Sequence, residues 1–158
     1  MQPVFDIVIS DTSCLILLHK IDELELLKVV GKRVFVTKDI KLEFGGILPS
    51  WIQVQEPKDK HYQRILELDL DKGEASAIAL SFEMDHPIII LDDLKGRKIA
   101  EKLSLRYSGT LGLILKAKQM GALDNVKPIL DKIRKTNFRF NESLLVYLMN
   151  EAGEQSQD

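Results

Sequence analysis

Val4-Phe5-Asp6-Ile7-Val8-Ile9-Ser10-Asp11-Thr12-Ser13-Cys14-Leu15-Ile16-Leu17-Leu18 passes from a short β-branched apolar run into a second apolar run through a polar turn. Residues 4–9 have the composition of a buried strand, and Ser10-Asp11-Thr12 offers caps for a helix over 13–18. The unit is strand, acidic turn, helix, and strand–helix alternation continues downstream. Val34-Phe35-Val36 is followed by Thr37 and a short helix through Glu43 that ends at Gly45-Gly46. Ile88-Ile89-Ile90-Leu91, four large aliphatics suited to a strand covered on both faces, is closed by Asp92-Asp93 and then a helix over 94–103. Strands separated by helices argue for parallel β-α-β units with right-handed crossovers, hence an α/β sheet between two helix layers.

The remaining elements fit that scheme. Leu24, Leu26, Leu27 and Val30 share a helical period over 22–30, stopped at Gly31. Trp51, Ile52 and Val54 alternate enough for a short extended segment. Helices are expected over 58–68 and from Asp71-Lys72-Gly73-Glu74 through Phe82. Residues 105–107 read as a short strand, Ser108-Gly109-Thr110 as a turn, and 111–120, 124–136 and 141–151 as helices. There is no internal repeat and no linker, so residues 1–153 are expected to form one domain and 154–158 a frayed polar tail.

The 22 basic and 24 acidic residues nearly balance, but unevenly along the chain. Residues 1–94 hold ten basic and seventeen acidic side chains, residues 95–139 twelve and three, and residues 140–158 none and four. The middle segment, from Lys95, Arg97 and Lys98 to Lys135 and Arg139, could hold a polyanion while the acidic part holds metal; solvated helix faces explain it equally well. Cys14 is the only cysteine and lies in an apolar run, so a buried small hydrophobe is expected, and neither an internal disulfide nor a cysteine zinc site can form. No signal peptide or membrane-length apolar stretch is apparent, so a soluble, cytoplasmic protein is expected.

In open α/β sheets, ligands gather beyond the carboxyl ends of the strands where strand order reverses. Asp11 and the Asp92-Asp93 pair both occupy such ends, and Glu43 and Glu74 sit near helix termini that could face them. Several carboxylates converging beside apolar runs require a counter-charge, most economically a divalent cation. Oxygen ligands suit Mg²⁺ or Mn²⁺, and such ions can activate water and stabilise charge on a phosphodiester. Each acid alone has a duller reading: Glu74 as a partner of the helix dipole, Asp93 as an N-cap.

Ser10-Asp11-Thr12-Ser13 after the first strand, Glu43 after the second, Asp71-x-Gly73-Glu74-x-x-Ala77-Ile78-x-Leu80 and Leu91-Asp92-Asp93-x-x-Gly96-Arg97-x-x-Ala100 resemble the ordered acidic motifs of the PIN-domain nucleases. Gly109-Thr110-Leu111-Gly112-x-x-Leu115-x-Ala117-Lys118 resembles a prokaryotic PIN-like branch of unknown function related to VapC-type toxins. The likeness spans about residues 4–150. It implies a three-layer α/β/α sandwich with a mainly parallel sheet, Mg²⁺- or Mn²⁺-dependent cleavage of single-stranded or structured RNA, and often a homodimer. A toxin role with an antitoxin partner follows from the family alone. Carried over by residue, Asp11, Glu43 and Glu74 are catalytic acids, Asp11 and Glu74 also metal ligands. Asp92 and Asp93 compete for the fourth place, because the spacing from Asp93 to Ala100 fits the broader family whereas Asp92 directly follows the strand; of the two, the resemblance favours Asp93. Thr110 falls where many members have a further acid or a small hydroxyl residue, which implies one firmly held ion and a second only with substrate.

Arg97 could contact a substrate phosphate or pair with a neighbouring acid. Ser13 could support Asp11 or cap its own helix. Trp51 and Tyr107 could stack on a base or simply pack. His19, His61 and His86 share no ligand spacing. Two other classes stay open beside the ribonuclease: a non-catalytic PIN-like module that binds RNA or protein, and a receiver-like signalling domain, whose chemistry the positions of Glu43 and Glu74 do not serve.

Overall fold

The computed structural model describes residues 3–154, which form five strands and nine helices. The strands are β1 (Phe5–Ser10), β2 (Gly31–Val36), β3 (Ile52–Val54), β4 (Ile88–Ile90) and β5 (Arg106–Ser108). They make one sheet in the order β3-β2-β1-β4-β5, every neighbouring pair parallel. The chain therefore builds outward from β1 to β3, returns to the other side of β1, and builds outward again. That reversal falls between β1 and β4, the strands that lead into Asp11 and, through Leu91, Asp92.

The helices are α1 (Thr12–Lys20), α2 (Leu26–Val30), α3 (Lys38–Phe44), α4 (Lys60–Leu66), α5 (Lys72–Ser81), α6 (Leu94–Lys102), α7 (Thr110–Gln119), α8 (Lys127–Arg134) and α9 (Glu142–Glu151). One group joins α1, α3, α4, α5 and α6 through mutual contacts, and another joins α2, α7 and α9. Sheet and flanking helices form the three-layer arrangement expected. Ile9, Leu15, Leu18, Ile78, Ile89, Ile90 and Leu91 are fully buried in its core. Two buried hydroxyls pair across helices: those of Thr37 and Ser76 lie 2.6 Å apart, and Ser76 Oγ also donates to the Gly73 carbonyl at 2.7 Å, tying α5 to the start of α3.

Three local expectations are corrected. The helix expected over 22–30 covers only Leu26–Val30, because Asp22 takes a positive φ of 57° and turns the chain first. Gly31 is not a left-handed helix stop; it is extended and begins β2, where a Cβ would come within 2.6 Å of Val8 Cγ2. Strand β5 runs over 106–108 and not 105–107, so that Ser108 accepts from the Leu91 N–H, and Thr110 is already the first residue of α7. Leu145, Leu148 and Met149 of α9 are buried, with α9 against α7, while Leu144 and Tyr147 remain exposed. Residues 155–158 of the expected tail lie outside the described residues. Glu154, read with them, accepts from the Val126 N–H at 2.7 Å, the Lys127 N–H at 3.2 Å and Lys118 Nζ at 3.1 Å, holding the end of α9 to the start of α8.

Candidate active site

Asp11 leaves β1 with an extended backbone and caps α1, accepting the Cys14 N–H on Oδ1 at 2.8 Å. Its other oxygen accepts the Asp92 N–H at 2.9 Å, so one carboxylate joins the ends of both strands at the reversal of strand order. Asp11 is buried, and burial first, then the nearby Asp92, pushes its pKa up to about 8. The same burial raises the Cys14 thiol well above its ordinary value, in keeping with an unreactive core residue.

Asp92 is fixed from the other side. Its Oδ1 accepts the Thr110 N–H at 2.8 Å and its Oδ2 the Thr110 hydroxyl at 2.5 Å, so the first residue of α7 orients it. Arg97 lies beside it: Nε donates to the Leu91 carbonyl at 2.7 Å and Nη2 stands 3.9 Å from Asp92 Oδ1. Gly109 leaves room for this guanidinium, since a Cβ there would fall within 1.8 Å of Nη2. Asp93 caps α6, accepting the Gly96 N–H at 3.2 Å.

Glu74 lies in the first turn of α5, where Asp71 is the cap. Its carboxylate reaches toward α6, with Oε2 3.7 Å from where a Cβ of Gly96 would lie. Partial burial, then repulsion from Asp71, Asp93 and Glu43, pushes its pKa up to about 7, against a smaller opposing effect of Lys95. Glu43 accepts the Thr12 hydroxyl at 3.1 Å and rests on the backbone of Gly73, where a Cβ would fall within 1.9 Å of Oε1. Burial, before repulsion from Asp71 and Asp39, raises it too.

Asp71, Glu74, Asp92 and Asp93 open onto a cleft of about 850 Å³. Ser13 faces the same cleft from α1, whose cap is Asp11 and not Ser13. Asp11 and Glu43 are not among its lining residues; Asp11 is buried and Glu43 exposed. The cleft is also lined by the segment 137–141 and by α9, a wall the sequence reading missed. Its only signal was the alternation Phe138-Arg139-Phe140 at the end of the basic segment. Trp51 and Tyr107 do not line the cleft; both are half-buried against the core, and Lys28 Nζ stands 6.0 Å from the Trp51 ring centre.

Hard carboxylate oxygens that repel one another fit a hydrated Mg²⁺ or Mn²⁺, which takes one or two carboxylates and keeps its remaining waters. They do not form a closed cage: among the described residues no three His, Cys, Asp or Glu side chains are grouped closely enough to hold a metal ion by themselves.

A family model described as a PIN domain matches residues 7–154. The chain belongs to the PIN-domain family. A nuclease-type fold follows from that membership, with nucleic acid as the general class of ligand. No curated protein and no solved structure matches the chain. Among the described residues of this PIN domain, no helix is long and apolar enough to cross a membrane.

Proposed function

We propose that this PIN domain is a divalent-metal-dependent endoribonuclease that hydrolyses RNA phosphodiester bonds, and that it serves as the toxin of a toxin–antitoxin pair. The observation that carries the catalytic reading is the linkage of Asp11 to Asp92 at the reversal of strand order, with Glu74 and Asp93 facing the same cleft. The toxin role, an antitoxin partner, a homodimer and a cytoplasmic setting are drawn from the family resemblance alone.

Asp11, Glu74, Asp92 and Asp93 would hold Mg²⁺ or Mn²⁺, which when bound supplies Lewis acidity for water and for the charge growing on the phosphate. The chain's own residues set the geometry. Thr110 holds Asp92 in one rotamer through two hydrogen bonds. Arg97 offsets part of the negative charge beside Asp92 and stands where a phosphate oxygen could exchange for that carboxylate. Glu43, fixed by Thr12, keeps negative charge behind Glu74.

The test is calorimetric titration with Mn²⁺ and an RNA cleavage assay, each on the parent and on Asp92→Asn. Cation binding and cleavage that vanish together in the variant support the nuclease. A second reading, a non-catalytic PIN-like module, draws on the absence of a closed ligand group among the described residues. It predicts RNA retention without cleavage at any Mn²⁺ concentration.

A further inference from the structure

The part of the cleft lining formed by residues 137–141 and α9 carries no carboxylate and has a different chemistry. Phe138 and Phe140 have ring centres 4.7 Å apart at an interplanar angle of 35°, and both are half-buried. Arg139 between them is exposed, and among the described residues no ion pair engages it. Most neighbouring basic residues are already paired: Lys127 and Arg134 with Asp131, Arg134 also with Glu142, and Lys132 with Glu23. Tyr147 of α9 presents its ring to the same cleft and is 59 % exposed, too open for a core role.

The segment that carries these rings is held at both ends. Thr136 Oγ1 donates to the Ile133 carbonyl at 2.6 Å and accepts the Phe138 N–H at 3.1 Å, while Asn141 caps α9 by accepting the Ser143 N–H at 3.0 Å. Aromatic faces fixed in this way, with an exposed guanidinium beside them, suit a flat ring attached to an anion. An unpaired nucleobase with its phosphate has that form, whereas the bases of a duplex offer no exposed face.

We infer that Phe138, Arg139, Phe140 and Tyr147 form a nucleotide subsite, in which an unpaired base stacks on the rings and Arg139 holds its phosphate, so that the chain continues across the cleft to the acids. This rests on the reading of the cleft as a nucleic-acid site. It adds the residues that grip the substrate beside the point of cleavage, and it makes stacking, which tolerates any base, the source of affinity.

Fluorescence anisotropy with a labelled uridine homopolymer, and with an abasic ribose-phosphate chain of equal length, both in chelator, tests the subsite without cleavage. Tyr147→Ala should weaken uridine binding roughly 5- to 150-fold, the range for loss of one stacked base. Tyr147→Phe should bind like the parent, and the abasic chain should bind the parent no better than uridine binds Tyr147→Ala. Arg139→Gln should lower the salt dependence of binding by about one phosphate contact. Because Phe138 and Phe140 also pack on the core, Tyr147 decides. Equal binding by Tyr147→Ala, equal binding of the abasic chain, or a change in oligomeric state without a change in RNA binding would overturn the subsite. A parent that never cleaves but shows these differences would sink the nuclease and leave the subsite standing.

Discussion

The Asp92 N–H donates to Asp11 Oδ2 at 2.9 Å across 81 residues of sequence, while Asp11 Oδ1 is taken by the Cys14 N–H. Both oxygens of Asp11 therefore face backbone donors. An asparagine there has one oxygen for two N–H groups and must set its amide against the other, leaving a buried donor unpaired. Asp92 differs, since one of its two partners is the Thr110 hydroxyl, which can turn from donor to acceptor. Asp11→Asn is expected to cost about 1–3 kcal/mol of stability, whereas Asp92→Asn should melt close to the parent and still lose cleavage by a factor of about 100 or more. Thermal melts beside cleavage rates on both variants separate the two effects. Equal melting of the pair would show that the Asp11 bonds do not matter to the fold.

The pH dependence of stability follows from the same burial. Asp11 keeps its proton to about pH 8 in the folded chain, against an ordinary value of 3.8. Between those values the folded state binds more protons than the unfolded one, so stability falls as pH rises. Asp11 lowers stability by up to about 1.4 kcal/mol for each pH unit climbed inside the window; below it the contribution of Asp11 is fully present and no longer changes with pH, and above the window it is lost. Glu74, raised from 4.5 to about 7, acts in the same direction. In chelator, the melting temperature should drop between about pH 5 and pH 8, less steeply in Glu74→Gln. A melting temperature that climbs over this range would contradict the charge distribution described here.

Much of this was legible in the sequence because local pattern and topology agree. The aliphatic runs of β1 and β4 announce covered strands, and an acid directly after each marks the place where ligands gather. Glu43 and Glu74 were found as motif members, not as neighbours. That Glu43 rests on the backbone of Gly73, the residue before Glu74, depends on how α3 packs on α5, which periodicity does not encode. Thr110 could be named from its motif, but its two bonds to Asp92 depend on the register of β4 with β5. The aromatic wall was hidden because Phe138 and Tyr147 lie on different elements, and only the turn between α8 and α9 brings both to one cleft. Ion pairing also reduces the basic segment's free charge, leaving Arg139 more informative than the net total.

Cation binding should release protons. With Asp11 near 8 and Glu74 near 7, a cation that takes both at neutral pH expels on the order of one proton or slightly more. Apparent Mn²⁺ affinity should consequently climb as pH rises from about 6 to 8. Calorimetry in buffers of different ionisation enthalpy measures the proton count directly. Binding with no proton released would place the cation away from Asp11 and Glu74.

Gly73→Ala separates the position of Glu43 from the stability of α5. A Cβ at residue 73 would come within 1.9 Å of Glu43 Oε1, the movable end of a long side chain, so the carboxylate swings aside more readily than the helix shifts. Alanine in place of glycine within a helix favours folding by up to about 1 kcal/mol. The variant should melt at or above the parent's temperature while Glu43 loses the Thr12 hydroxyl and its place behind Glu74. If Glu43 works from that position, cleavage falls by roughly 10-fold, and Glu43→Gln in the parent background, which keeps an oxygen for Thr12 but removes the charge, falls with it. Full activity in Gly73→Ala, with the displacement of Glu43 verified by crystallography, would remove Glu43 from the catalytic set and leave the chemistry to Asp11, Glu74, Asp92 and Asp93.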